Sequence, residues 1–170
     1  MGWDFSAEHN KTSFVQDMLQ DTGMYRVAAR RLIGNHLWVI TEYKETGEKS
    51  ICLYLLRYSR DSGWGCKCIH ESAHPYYYDC PLSLLDKVDP TKNKNAVEWR
   101  QKVREFHQKK NEKKQRMNTL EPGMRIRYDG QEYRLHSPAG ARKGWQAVRC
   151  SDGLIFRIPA RVLAEAEIVR

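Results

Sequence analysis

Along the chain, apolar residues alternate in some stretches and fall at helical spacing in others, and the switches between the two periods mark its elements. In residues 1–6, Trp3 and Phe5 alternate with small or polar neighbours, which predicts a short strand. In 11–20, Phe14, Val15, Met18 and Leu19 share one helical face. Thr12 or Ser13 is available there as an N-cap, and Gly23 stands just past the end. Residues 24–33, 36–43 and 50–58 then read as three antiparallel strands, joined by Gly34-Asn35 and by Glu45-Thr-Gly-Glu48. The run from Ile51 to Leu56 is apolar on both faces, so it belongs at the centre of the sheet with one face under the helix. The expected unit is β-α-β-β-β, an antiparallel sheet covered on one side.

Further on, Leu82, Leu84 and Leu85 predict a helical turn or two plugging the sheet edge. A polar connector, 89–95, precedes a helix whose stripe is Ala96, Trp99, Val103 and Phe106. Residues 107–118 continue with good helix formers but no apolar face, as in a solvent-projecting helix or a linker. Leu120-Glu-Pro-Gly123 punctuates the chain. Beyond it, 124–128, 131–136, 144–150 and 154–158 alternate between turn signals, and 159–166 adds a helical turn before Ile168 and Val169. That pattern predicts a small SH3-like barrel. The fold class is α+β, with an α+β domain over 1–118 that ends in a basic helix and a β-barrel over 119–170.

Charge sharpens this picture. Residues 92–116 hold ten Lys or Arg and three Glu, nearly all of the chain's net charge of +8. Arg100, Lys102, Arg104, Lys109, Lys110, Lys113, Lys114 and Arg116 are therefore candidate phosphate contacts, joined by Arg142 and Lys143 from the barrel. In the barrel Arg125, Arg127, Arg134 and Arg149 also interleave with Tyr128, Tyr133 and Trp145, which suits nucleic acid or a peptide groove. A solvated face or an acidic protein partner would show the same helix pattern. No apolar run approaches the ~20 residues of a spanning helix, so no membrane is expected. The first residues, MGWDFSAEHN, lack a basic start followed by an apolar core, so no secretory signal is expected. The five cysteines are then expected as reduced thiols.

The densest chemistry lies in residues 63–81, GWGCKCIHESAHPYYYDCP, which reads as a hinge. Cys66, Cys68, His70, His74 and Cys80 hold enough soft ligands for a zinc site. The simpler reading is a strand whose two cysteines face inward, so no cofactor is assigned and zinc stays an alternative. Cys80 beside Asp79 and near His74 has the residue types of a thiol enzyme, but Pro81 would deny the next backbone N–H to an oxyanion hole. Trp64, Tyr76, Tyr77 and Tyr78 are candidate anchors in a protein interface, or rings for stacking on bases. No phosphate-binding glycine loop, HExxH or GxSxG pattern occurs, and Glu42 and Glu45 lack an acid–base partner.

The MGW start, GWG leading into HPYYYDCP, the EWR and KVREFH segments and the LEPGMRIRYDG module together resemble a family of small proteins encoded by bacteriophages and related mobile elements. The family pattern commonly carries an aromatic where Cys66 stands and expects neither Cys68 nor His70, a departure that weakens any shared metal site. The resemblance implies instead a host bacterial cytoplasm and an accessory role, altering host processes or blunting host defences. The expectation is a non-catalytic accessory protein that binds nucleic acid, possible counter-defence included. Its alternative is a protein-binding inhibitor of a host nucleic-acid enzyme or defence complex, of the anti-CRISPR or anti-restriction type. A zinc- or thiol-dependent enzyme is a weaker third.

Overall fold

The computed structural model describes residues 2–20, 22–73, 75–140 and 144–169. The chain divides into two compact units, Met1–His107 and Gln108–Arg170. The division falls inside the long helix and not at residue 118.

The first unit is a five-stranded antiparallel sheet built from β1 (Asp4–Phe5), β2 (Tyr25–Ile33), β3 (His36–Tyr43), β4 (Lys49–Ser59) and β5 (Gly63–His70). Its order is β1-β5-β4-β3-β2, with β4 central as its two apolar faces require. Between β2 and β3, Gly34 supplies the positive φ (59°) at the first central position of the hairpin turn. Between β4 and β5 the register runs unbroken from Ser59↔Gly63 to Cys52↔His70. The front half of the cysteine-rich stretch is therefore a sheet strand, as the simpler reading of its two cysteines expects, and not a hinge.

Both faces of this sheet carry helices, where one covered side was expected. Helix α1 (Lys11–Met18) lies on the face of Leu37, Val39 and Leu56, into which it buries Phe14, followed by Leu19. Its N-cap is Asn10, whose Oδ1 accepts from the backbone N–H groups of Thr12 and Ser13. Those two residues are thus the capped positions and not the cap. On the opposite face, Trp38, Ile40, Ile51 and Leu53 pack with Leu84 and Leu85 of α2 (Leu82–Leu85), and with Trp99 and Val103 of α3 (Lys94–Asn118). The three leucines thus cover this face at the side of the edge strand β2, whose Ala29 joins the same cluster.

Trp38 and Trp99 stack with centroids 5.9 Å apart, and the Trp99 indole N–H donates to the Tyr77 carbonyl at 3.1 Å. The inward stripe of α3 does not end on Phe106, which is exposed. At 100° per residue, position 107 falls almost in line with 96 and 103, and it is His107 that reaches the Cys80 carbonyl at 2.8 Å.

The second unit is another five-stranded antiparallel sheet, from β6 (Arg125–Tyr128), β7 (Gln131–Pro138), β8 (Trp145–Arg149), β9 (Ile155–Ile158) and β10 (Glu167–Val169). The order is β10-β6-β7-β8-β9, so β9 and β10 are its two edges and the sheet is open where a closed barrel was expected. Ile126, Leu135, Trp145, Ala147 and Ile158 form the inner face, closed over by Leu120, Ala166 and Leu163 of α4 (Ala160–Leu163). Asp129 and Gly130 take positive φ (49° and 69°), the signature of a type I′ hairpin between β6 and β7. Gly144 is obligatory for a second reason: its φ is 108°, and a Cβ there would stand 2.0 Å from the Ile158 carbonyl oxygen.

Candidate nucleic-acid interface

The two units differ sharply in charge. Residues 1–107 hold fifteen Lys and Arg against fourteen Asp and Glu, whereas residues 108–170 hold fourteen against seven. The second unit thus carries a net +7 and the first only +1. Helix α3 crosses this divide, and its candidate contacts sort accordingly.

In its first half Arg100, Lys102 and Arg104 are occupied by partners, whereas Lys94 at the helix start is exposed and has no ion pair among the described residues. Arg100 makes a bidentate pair with Glu71, at 2.7 Å from Nε and 2.8 Å from Nη2, and donates a third bond to the Asp89 carbonyl at 2.7 Å. Glu71 is only 2% exposed and also accepts from the Ile51 backbone N–H at 3.0 Å. Arg100 is therefore the counter-ion of a buried carboxylate and leaves the list of phosphate contacts. Lys102 pairs with Glu98 at 2.7 Å, and Arg104 with Asp86 at 3.1 Å. The hydrogen bond that the Lys102 ammonium donates to Glu98 raises the Lys102 pKa.

In the second half, Lys109, Lys110, Lys113 and Lys114 are exposed, and none has an ion-pair partner among the described residues. Arg116 is half-buried, with an Nε that meets no hydrogen-bond acceptor among the described residues. Arg142 and Lys143 lie outside the described residues.

The sheet of the second unit adds Arg125 and Arg134, whose interleaving with aromatics suits nucleic acid or a peptide groove, and Arg157, which no motif singled out. Arg125 and Arg134 are exposed cross-strand partners on the outer face, and neither has an ion pair among the described residues. Like charges directly opposite one another destabilise a sheet pair unless an anion lies between them. Arg157 on β9 is exposed as well. By contrast, Arg127 is engaged with Glu132 at 2.6 Å and Glu167 at 3.5 Å. Arg149 pairs with Asp152 and stacks over the Phe156 ring at 4.7 Å. Strict alternation along Arg125-Ile-Arg127 and Tyr133-Arg-Leu135 was the signal that put the arginines outside.

The aromatic candidates do not form one patch. Trp64 lies on the α1 face, beside Tyr58 and under the Lys11 ammonium at 5.0 Å. Tyr77 and Tyr78 pack on the opposite face, Tyr77 edge-on to His36 at 5.0 Å. Only Tyr76 projects, 90% exposed.

The metal candidates are divided in the same way. Cys66 and Cys68 face α1 from β5, and His70 follows them on that side. Cys80 is fully buried in the cluster beneath α2 and α3. His74 lies outside the described residues. Among the described residues no group of three or more His, Cys, Asp or Glu is placed to hold a metal ion. Burial pushes the Cys80 thiol up to about 12, and the nearby Asp79 and Glu71 carboxylates add to this. A thiol so held is protonated at neutral pH and a poor nucleophile. Cys68 behaves oppositely: hydrogen bonding from Cys52, and then from Tyr54, brings it down to about 7 against the opposing effect of burial, while the Cys52 and Tyr54 protons are held more tightly than usual.

No protein-family model, curated protein or solved structure matches the chain. Fold and surface together define a two-unit α+β protein whose excess positive charge resides in the second unit. No helix among the described residues is long and apolar enough to cross a membrane.

Proposed function

We propose that this is a non-catalytic nucleic-acid-binding protein, contacting phosphates through Lys109, Lys110, Lys113 and Lys114 of α3 and through Arg125, Arg134 and Arg157 of the second sheet. The observation that carries the reading is that those cations, in a unit of net +7, have no ion-pair partner among the described residues, whereas Arg100, Lys102 and Arg104 of the same helix are paired. Sequence-independent affinity for nucleic acid comes from displacing counterions from phosphates, and exposed lysines on a helix supply that directly. The strand order of the second unit, with a short helix before its last strand, supports reading it as an SH3-like barrel opened between β9 and β10. The setting proposed is the one its motifs resemble, an accessory protein of bacteriophages or mobile elements acting in a bacterial host cytoplasm, with counter-defence as one role.

Binding of the full chain to labelled duplex and single-stranded DNA and RNA across a salt series tests this. Micromolar or tighter binding that weakens steeply with salt is expected, with a slope of about −6.3 in log affinity against log salt on duplex DNA if all seven cations meet phosphates. Weak binding with no salt dependence would reject the reading.

The exposed Tyr76 ring favours one second reading, a protein-binding inhibitor of a host nucleic-acid enzyme or defence complex. Under it, Tyr76→Ala abolishes capture of the host protein while nucleic-acid affinity stays low throughout.

A further inference from the structure

The sheet face beneath α1 holds a thiol pair that phosphate binding leaves unused. The register sets Cys52 opposite His70 and Tyr54 opposite Cys68, so Cys52 and Cys68 are diagonal neighbours on one face with Tyr54 beside them. Both cysteines are free, Cys52 buried and Cys68 half-buried. A cavity of about 260 Å³ opens on Cys52, lined also by Met18, Thr41, Ser50, Tyr54 and His70, with Cys68 next to Tyr54 in the register but not itself part of the lining. Its wall carries hydroxyls: Thr41 Oγ1 lies 4.0 Å from Cys52 Sγ and 3.1 Å from Ser50 Oγ. The His70 ring is fixed by Ser72, whose Oγ lies 2.7 Å from Nδ1 and whose backbone N–H donates to the same nitrogen at 3.2 Å.

The donor set discriminates between metals. Structural zinc takes four ligands, and no group of three or more ligating side chains gathers among the described residues. Thiolates select soft ions, and monovalent copper is satisfied by two of them in a line. We propose that Cys52 and Cys68 bind one soft monovalent metal ion, Cu(I), between their two sulfurs, reached through the cavity beside α1. Binding displaces the two thiol protons to solvent and leaves a bis-thiolate complex of net charge −1. No electron is transferred, because the ion arrives already reduced.

The test is anaerobic titration of the reduced full-length chain with Cu(I) against bicinchoninate, with X-ray absorption on the product. The expected result is one equivalent withdrawn from the chelator and two sulfur scatterers at the metal. Cys68→Ser and Cys52→Ala each lose that equivalent, while Cys66→Ser and Cys150→Ser keep it. Circular dichroism and thermal melting establish that each variant folds. Should Cys52→Ala fail to fold, the half-buried Cys68→Ser decides alone. Copper retained by Cys68→Ser, copper lost in Cys150→Ser, or zinc held as tightly as Cu(I) against a matched chelator would each overturn the assignment.

Discussion

The two halves of α3 place cations on one continuous helix and use them in opposite ways. Before His107 the helix packs Ala96, Trp99 and Val103 into a core, and its Arg100 neutralises a carboxylate that is 2% exposed. After Gln108 four lysines stand in water without counter-ions among the described residues. A cation already paired within its own fold has less charge to offer a polyanion than one left exposed and unpaired. The two units repeat the contrast, one nearly neutral around a core covered on both faces, the other small and strongly basic.

That contrast can be broken most forcefully in the first unit. Trp99→Ala removes a fully buried ring stacked on Trp38 and is expected to cost about 3–5 kcal/mol of its stability, read by urea unfolding. Arg100→Met strands the Glu71 carboxylate in the interior and is expected to cost about 3 kcal/mol. In neither variant should nucleic-acid affinity fall at temperatures where the protein stays folded. A stable Arg100→Met protein with weakened binding would return Arg100 to the interface and erase the division of α3.

A smaller effect sharpens the second unit. Gly144→Ala combines a left-handed φ with a Cβ crowding the Ile158 carbonyl, and about 1–3 kcal/mol is expected at the least, seen in the melting of that unit. The smallest effect compares the two faces of the first sheet by thiol chemistry. Alkylation of Cys68 by iodoacetamide should climb as pH rises through about 7, because the reactive thiolate forms above its lowered pKa. Cys80, pushed up to about 12, should stay inert at neutral pH in the folded protein. Mass spectrometry of the modified chain separates the two, and equal rates at pH 7 would contradict the placement of Cys80 beneath α2 and α3.

Much of this fold is legible along the chain. The hairpins around Gly34 and Gly47, the central place of β4 and the four strands after Leu120 follow from alternation and turn chemistry. The strand character of 63–70 was harder to read, because Trp64, Cys66, Cys68 and His70 alternate with Gly65, Lys67 and Ile69 without clear contrast between apolar and polar sides. Coverage of both sheet faces escaped a local reading, although β4 is apolar on both sides, since which helix lies on which face is settled by tertiary packing. The same limit applied to the site. The lysines of 109–114 could be named from the sequence, but the loss of Arg100 to Glu71 depends on a contact 29 positions away in the chain. Sheet alternation would have placed Arg125 and Arg134 together on the outer face, once their strands were taken as hairpin partners.

The most direct measurement sets the two halves of α3 against each other on duplex DNA across a salt series. One variant neutralises Lys102 and Arg104 to Gln, the other Lys109, Lys110, Lys113 and Lys114. The slope of log affinity against log salt should be nearly unchanged in the first and flatter by about 3.6 in the second. Equal slopes in both variants and the parent, or flattening by the Lys102 and Arg104 pair alone, would contradict a phosphate-binding role for the second half of the helix.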